Sequence, residues 1–281
     1  MILVNLLLTD HDQTFLVIKK ESEFPMKENI LTKIPDVDYR ELAPEVNYNE
    51  FDKVVRSRRS VRVFTDKPVP ESVLENAFRH ALLAPNSSNL QPWHFIWIKE
   101  PERKRKVVQA CLNQSAARTA PELVVVIARK KSWKLIQSEM LHYLKENKAP
   151  KGAIAYYEKI VPLAYGQGFL GLFGLIKRII IFFRGLYKAT PRGPKSDSDM
   201  RVWAHKSTAL ACQNFMLSIR AQGYDTCPME GFDEKKILAC LTEEVDAGSE
   251  VCMVLSVGER ANNGIYGPQI RMAKENFISI L

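Results

Sequence analysis

Several common kinds of site are missing from this sequence. Its five cysteines form no C-x-x-C pair, and no set of cysteines and histidines has the spacing of zinc ligands, so we expect no metal site. The five histidines are scattered, without the order of a Ser/His/Asp triad. Gly168, Gly171 and Gly174 lack the spacing of a dinucleotide-binding turn. Triad and Rossmann chemistry are therefore not expected either.

Long apolar runs are also missing. No stretch reaches the roughly 18 uninterrupted apolar residues of a spanning helix. The apolar start, residues 1–8, has neither a basic beginning nor a cleavage site, so we expect no signal peptide. Most cysteines lie in apolar runs and are interpreted as reduced thiols, which predicts a cytoplasmic protein. The net charge of +8 comes without a basic stripe interleaved with aromatics, so nucleic acid is not expected as a partner.

The pattern of apolar residues predicts one large domain after an extension. At 281 residues the chain can bury a full core. Residues 1–46 are interpreted as an N-terminal extension and residues 47–281 as the body, within which 130–195 form an insert that is hard to order by pattern. Strands and helices without strict β-α-β alternation predict an α+β sandwich. The expected helices are 50–56 with Asn49 as its cap, one opened by Pro70, 101–112, 199–221 and one after Asp233; the expected strands are 94–98, 123–128, one ending near Thr226, and 250–257.

Two segments separated by one helix suggest a phosphorylated ligand. The first, residues 58–64, places three guanidinium groups and a hydroxyl within five positions, and arginine presents a planar fork of donors to phosphate oxygens. Taken alone, this cluster is equally read as a solvated basic turn. The second, residues 84–93, is an amide-rich polar turn leading into an apolar strand. Flavin mononucleotide (FMN) is a phosphorylated, planar, hydrogen-bonding cofactor that fits both segments.

These two segments, with Asp225–Asp233 later in the chain, resemble the FMN-dependent nitroreductase family. The resemblance runs from about residue 51 to residue 277, with a divergent stretch in the middle. It implies an α+β sandwich in which helices wrap a mostly antiparallel sheet. It also implies a homodimer with exchanged terminal segments and FMN at the interface.

The resemblance assigns roles to thirteen residues. Arg58, Arg59 and Ser60 would hold the phosphate, with Arg271 as a late ligand, and Arg62 would reach the flavin pyrimidine edge. The remaining cofactor contacts would come from Pro85, Asn86, Ser87 and Asn89 of the partner subunit, from Asn113, and from the flavin-face segment Met229, Glu230 and Gly231. In that segment the Gly231 backbone would point at flavin N5, and its lack of a side chain would let the backbone come close. Glu230 is read as a positional residue or, alternatively, as a general base.

The implied activity is an NAD(P)H-dependent oxidoreductase. Hydride would pass from NADH or NADPH through flavin N5 to a nitroaromatic, quinone or enone in a ping-pong cycle, with no essential catalytic side chain. Three alternatives stay open: a flavin-binding redox sensor without turnover, a membrane-associated protein, and a reductive dehalogenase on the same scaffold.

Residues 160–188 form an apolar and basic segment for which three roles are considered. On a helix, Lys177, Arg184 and Lys188 would share one face, and most of the apolar residues would lie on the other. Such a helix suits a lid over the flavin, a dimer contact, or a membrane-surface helix.

Overall fold

The architecture places a four-stranded antiparallel sheet between helices. The computed structural model describes residues 40–168 and 172–281; the extension expected over 1–46 lies mostly outside the described residues. The chain divides into residues 1–41 and 42–281, and the description below concerns the second unit. Its strands are β1 (Trp93–Trp97), β2 (Glu122–Ala128), β3 (Asp225–Met229) and β4 (Glu250–Gly258). They pair in the order β1-β2-β4-β3, and every pairing is antiparallel, which confirms the predicted α+β class.

Ten α-helices are assigned within the described residues. They are α1 (Tyr48–Ser57), α2 (Glu71–Leu82), α3 (Pro101–Ala110), α4 (Ser115–Thr119), α5 (Trp133–Glu146), α6 (Lys151–Ala155), α7 (Val161–Tyr165), α8 (Leu172–Arg184), α9 (Asp197–Ala221) and α10 (Glu234–Ala239). A π-helical turn, Tyr156–Ile160, joins α6 to α7, and 3-10 turns cover Ser87–Asn89 and Lys274–Asn276. None of the helices in the described part of the chain has the length and apolar content needed to cross a bilayer.

The core lies on both faces of the sheet. Strand β2 is buried at six of its seven positions, as its continuous run of β-branched residues predicts. One face packs on α3, α4 and α10, and the other packs on α2 and α9. Trp93 is buried in the second cluster, as predicted. The long helix α9 buries five of the six positions predicted for it, but Leu210 is 46% exposed.

Three element boundaries differ from the sequence expectation. Helix α1 is capped by Asn47, whose side-chain oxygen accepts from the backbone N–H groups of Asn49 and Glu50, so the predicted cap at Asn49 is wrong. Strand β3 does not end near Thr226 but continues to Met229. Helix α9 begins at Asp197, because Ser196 accepts from the N–H of Asp199 and caps it two residues earlier than expected.

The insert folds as helices α5 to α8, and it forms a third apolar cluster with α9 around Trp133, Tyr165 and Trp203. Lys177 of α8, which the helical pattern places on one face with Arg184 and Lys188, is buried, whereas Arg184 and Lys188 are exposed. It is 7% exposed, and its Nζ donates to the carbonyl oxygens of Ala164, at 2.8 Å, and of Gly166, at 2.5 Å. The C-terminal end of α7 leaves these carbonyls unpaired within the helix, and the ammonium group satisfies them.

Candidate FMN site

A cleft of about 520 Å³ opens beside the basic cluster. Arg59, Ser60 and Arg62 line it, and the rest of its wall comes from two later segments: Gln114, Ser115, Ala116, Ile265, Tyr266, Gly267 and Pro268. None of these ten residues is Asp, Glu or His. The cleft therefore offers hydrogen-bond donors and positive charge, and its lining offers no carboxylate or imidazole to act as an acid or base.

Backbone pairing fixes the segment that carries the basic cluster. Helix α1 ends at Ser57, and the N–H of Arg58 still donates to the carbonyl of Val54. Ser60 then forms an isolated parallel bridge with Thr226, and the N–H of Val61 donates to the Thr226 carbonyl at 3.1 Å. The N–H of Arg62 donates to the Gly264 carbonyl at 2.7 Å. The segment is thus held between strand β3 and the C-terminal region.

A buried carboxylate holds the arginine that bonds to the start of this segment. Asp225 is 2% exposed and accepts a bidentate pair from Arg260, with Nε at 3.0 Å and Nη2 at 2.6 Å. Arg220 Nη1 lies 3.0 Å from the same carboxylate. Arg260 Nη2 also donates to the Ser57 carbonyl at 3.4 Å, next to the basic cluster. Sequence reasoning missed this trio, because Arg260 lies 35 positions from Asp225 and no local pattern marks Arg220 and Asp225 as partners.

The cluster brings together like charges that have no acidic partner. Arg271 lies close enough to act on Arg58: burial, and then the positive charge of Arg271, lower the pKa of Arg58. Arg59 Nη2 donates to the Gly267 carbonyl at 2.6 Å. Across the described residues, none of Arg58, Arg59, Arg62 and Arg271 forms an ion pair with a carboxylate. Arg58 and Arg59 are partly buried, whereas Arg62 and Arg271 are exposed. Guanidinium groups that gather in this way without an ion-paired carboxylate suit an anion such as phosphate.

The opposite wall is built around Gln114. Its Nε2 donates to the Gly231 carbonyl at 2.6 Å. The hydroxyl oxygens of the neighbouring Ser115 and of Tyr266 lie 3.1 Å apart. Asn113, which the resemblance assigns to the flavin edge, is exposed and does not line the cleft. Leu112 and Asn113 take positive φ angles of 58° and 51°, and this turn brings the next two residues to the wall. The missed residues thus lie one and two positions beyond the predicted one.

The flavin-face segment begins at the last residue of strand β3 and reaches Gln114 of the cleft wall. Met229 is its last residue and is buried, whereas Glu230 and Gly231 are exposed just beyond it. A Cβ at Gly231 would lie 3.4 Å from Gln114 Nε2, which is ordinary contact, and the φ of Gly231 is not in the left-handed region. The fold of this chain therefore does not itself require glycine at position 231, which lies next to Gln114 but does not line the cleft.

The amide-rich turn lies apart from this cleft in the same chain. Asn86 Oδ1 accepts from the backbone N–H of Gln91 at 2.8 Å, which closes the turn. The Ser87 and Tyr165 hydroxyls lie 2.7 Å apart, as do those of Ser88 and Tyr156. None of the four predicted turn residues lines the cleft. The insert thus holds the turn through tyrosines that sequence reasoning did not single out.

Comparison with known proteins identifies the fold. YdgI of Bacillus subtilis, provisionally named an NAD(P)H nitroreductase, is 26% identical over 221 residues, covering 78% of this chain and 92% of YdgI. A solved nitroreductase-type structure, YdfN of B. subtilis, is 23% identical with a TM-score of 0.66, covering 84% of this chain and all of YdfN. A nitroreductase-type protein of Exiguobacterium sibiricum, solved in complex with FMN, is 21% identical with a TM-score of 0.60, covering 86% and 99% of the two chains. The nitroreductase family matches residues 55–259, and the chain belongs to that family.

Proposed function

We propose that this chain is an FMN-dependent oxidoreductase that oxidises NADH or NADPH and reduces an electron-poor small molecule in a ping-pong cycle. The acceptor class is a nitroaromatic, a quinone or an enone. The observation that carries the proposal is the cleft lined by Arg59 and Arg62, which form no ion pair with a carboxylate of the described residues. Arg58 and Arg271 do not line the cleft, but the charges of Arg59 and Arg271 both act on Arg58. Family membership supports the reaction type, and the FMN complex of the E. sibiricum protein supports the cofactor.

The residues present fit FMN in both charge and shape. Arg58, Arg59, Ser60 and Arg271 would hold the phosphate, since the cluster offers guanidinium donors without competing carboxylates. Arg62 would lie at the pyrimidine edge. When bound, FMN supplies the N5 atom that accepts and passes on hydride.

The residues of this chain would bind FMN, orient it and set the charge around its ring. A positive charge at Arg62 favours an anionic ring beside it by Coulomb attraction. The backbone of Gly231 would face the ring with no side chain in the way, and Gln114 holds that backbone through its carbonyl. The cleft lining contains no Asp, Glu or His, which supports the proposal that the reaction uses no essential acidic or basic side chain there.

The complete site is proposed to form in a homodimer. The turn containing Pro85, Asn86, Ser87 and Asn89 does not reach the cleft of its own chain, so the partner's copy would complete it. The tail fits an exchanged segment, since Phe277, Ile278, Ile280 and Leu281 all leave most of their surface exposed. Residues 1–46 are proposed as an extension outside this domain.

A reducing compartment is proposed as the location. All five cysteines are free thiols in the structure, and three of them, Cys111, Cys212 and Cys227, are buried. Free thiols of this kind persist in the cytoplasm.

The visible spectrum of the purified protein tests the cofactor first. Flavin absorption that follows the protein through gel filtration is the expected result. Oxidation of NADH and of NADPH is then measured with and without an added quinone or nitroaromatic. A protein that purifies without flavin and does not take up added FMN would refute the proposal; one that binds FMN without turnover would reduce it to a binding protein.

A further inference from the structure

Helix α8 turns a broad apolar face to solvent. Its exposed large side chains are each between 51% and 60% exposed: Leu172, Leu175, Ile176, Ile179, Ile180, Phe182 and Phe183. Leu186 and Tyr187, in the turn that follows, continue the surface. Seven such side chains in a helix of 13 residues form a contiguous apolar patch, and patches of this kind mark interaction sites. We call this surface the apolar face of α8.

The opposite side of α8 is anchored, so the apolar face cannot turn inward without loss. The buried ammonium group of Lys177 donates to the carbonyls of Ala164 and Gly166. At Gly174 a Cβ would lie only 2.5 Å from the Lys195 carbonyl oxygen, so the backbones meet closely there. Turning the helix would leave Lys177 buried without its acceptors, which is costly for a charged group.

The charges within the segment that carries the apolar face all have one sign. Residues 160–196 contain six lysines and arginines and no aspartate or glutamate. At 3.6 residues per turn, Arg178 and Arg184 lie at the two margins of the apolar face. Both are exposed. An apolar strip with cationic margins complements a surface that is apolar inside and anionic at its rim.

A bilayer with anionic headgroups has this composition, and the α8 surface of a second copy does not. If α8 packed on α8 of another copy, Arg178 and Arg184 of both copies would approach one another without acidic partners. In a bilayer the same arginines lie at the level of lipid phosphates, and the apolar side chains lie at the headgroup–acyl boundary. The helix is about 20 Å long, which suits lying in the interface.

We infer that α8 docks this protein on the surface of an anionic lipid bilayer, with its apolar face in the headgroup–acyl boundary and Arg178 and Arg184 at the phosphates. None of the residues that line the cleft belongs to α8, so this docking does not depend on the proposed cofactor.

Vesicle flotation of the full chain tests the inference. Vesicles of equal parts phosphatidylglycerol and phosphatidylcholine are compared with vesicles of phosphatidylcholine alone. The wild-type protein should float with the anionic vesicles and much less with the neutral ones. Ile179→Glu should weaken binding by roughly tenfold or more, because it places a charge in the apolar boundary. Leu135→Glu on α5 is the matched control, because Leu135 is 57% exposed and Ile179 53%, and it should bind as wild type does.

A second variant tests the charge. Arg178→Gln with Arg184→Gln should weaken binding to anionic vesicles about 25-fold, at roughly fivefold for each charge, and added salt should reduce the difference from wild type. Circular dichroism and flavin content confirm that each variant is folded. Failure of wild type to float, equal losses in Ile179→Glu and Leu135→Glu, or a change in sedimentation of Ile179→Glu with vesicle binding intact would overturn the inference. The last outcome would assign the apolar face to a second copy.

Discussion

Replacing the buried carboxylate of Asp225 tests the support beneath the basic cluster. In Asp225→Asn the side chain keeps its shape but loses the charge that pairs with Arg260 and Arg220. Breaking a buried ion pair costs about 3–5 kcal/mol. The two arginines are 32% and 22% exposed, so water recovers part of that cost and we expect about 2–4 kcal/mol. For a domain of this size, such a loss lowers Tm by roughly 5–15 °C.

Asp52→Asn is the matched control for this change. Asp52 also accepts from an arginine, Arg56, but on the exposed surface of α1, where solvent screens an i,i+4 pair so that it contributes little to stability. Both variants and wild type are unfolded in urea at one protein concentration, and FMN dissociation constants are measured on the same preparations. We expect Asp225→Asn to lose both stability and FMN affinity, since Arg260 also holds the Ser57 carbonyl.

Two results would refute the reasoning. If Asp225→Asn is no less stable than Asp52→Asn, the buried network does not support the fold. If stability falls but FMN affinity is unchanged, the network does not position the segment that begins at Ser57.

Three further predictions concern single residues. Arg58→Ala and Arg271→Ala should each weaken FMN binding about ten- to a hundredfold, since a charged hydrogen bond contributes about 1.5–3 kcal/mol. Because the two guanidinium groups repel each other, the flavin-free variants should unfold at no lower urea concentration than wild type. Unchanged FMN dissociation constants would disprove the phosphate assignment. Gly231→Val should fold normally, because the chain leaves room for a side chain, yet purify without flavin; a normal flavin content would remove Gly231 from the site. Hydrogen bonds from Cys212 and His205 hold the pKa of Cys252 below its usual range, whereas burial raises the pKa of Cys111 to about 11. Iodoacetamide at neutral pH should therefore label Cys252 before Cys111. Mass spectrometry that finds the two cysteines labelled at the same rate would contradict this prediction.

Local chemistry explains what the sequence predicted well. The β-branched run of β2, the apolar spacing of α2 and the proline that opens α3 determine their elements without help from distant residues. The cap of α1 was misplaced because Asn47 and Asn49 are both good caps, and the choice between them depends on which side chain reaches the free N–H groups.

Long-range pairing explains what the sequence could not predict. The Asp225–Arg260 pair spans 35 positions, and the Ser87–Tyr165 contact spans 78. The burial of Lys177 could not be predicted, because helical periodicity shows which residues share a face but not which face packs on the rest of the protein. The carbonyls at the end of α7 decided that orientation, and no pattern within α8 encodes them.

The long-range hydrogen bonds that hold the basic cluster have a consequence for biosynthesis. Arg59 is fixed by a carbonyl 208 positions later, and the Ser57 carbonyl is bonded by a side chain 203 positions later. A nascent chain exposes its arginines early, but their final arrangement must wait until the region around residues 260–267 has left the ribosome. Truncated products that lack this region keep every arginine of the first segment and still cannot form the cleft. With the proposed dimeric site, the flavin colour would therefore appear only after two chains have been synthesised past this region.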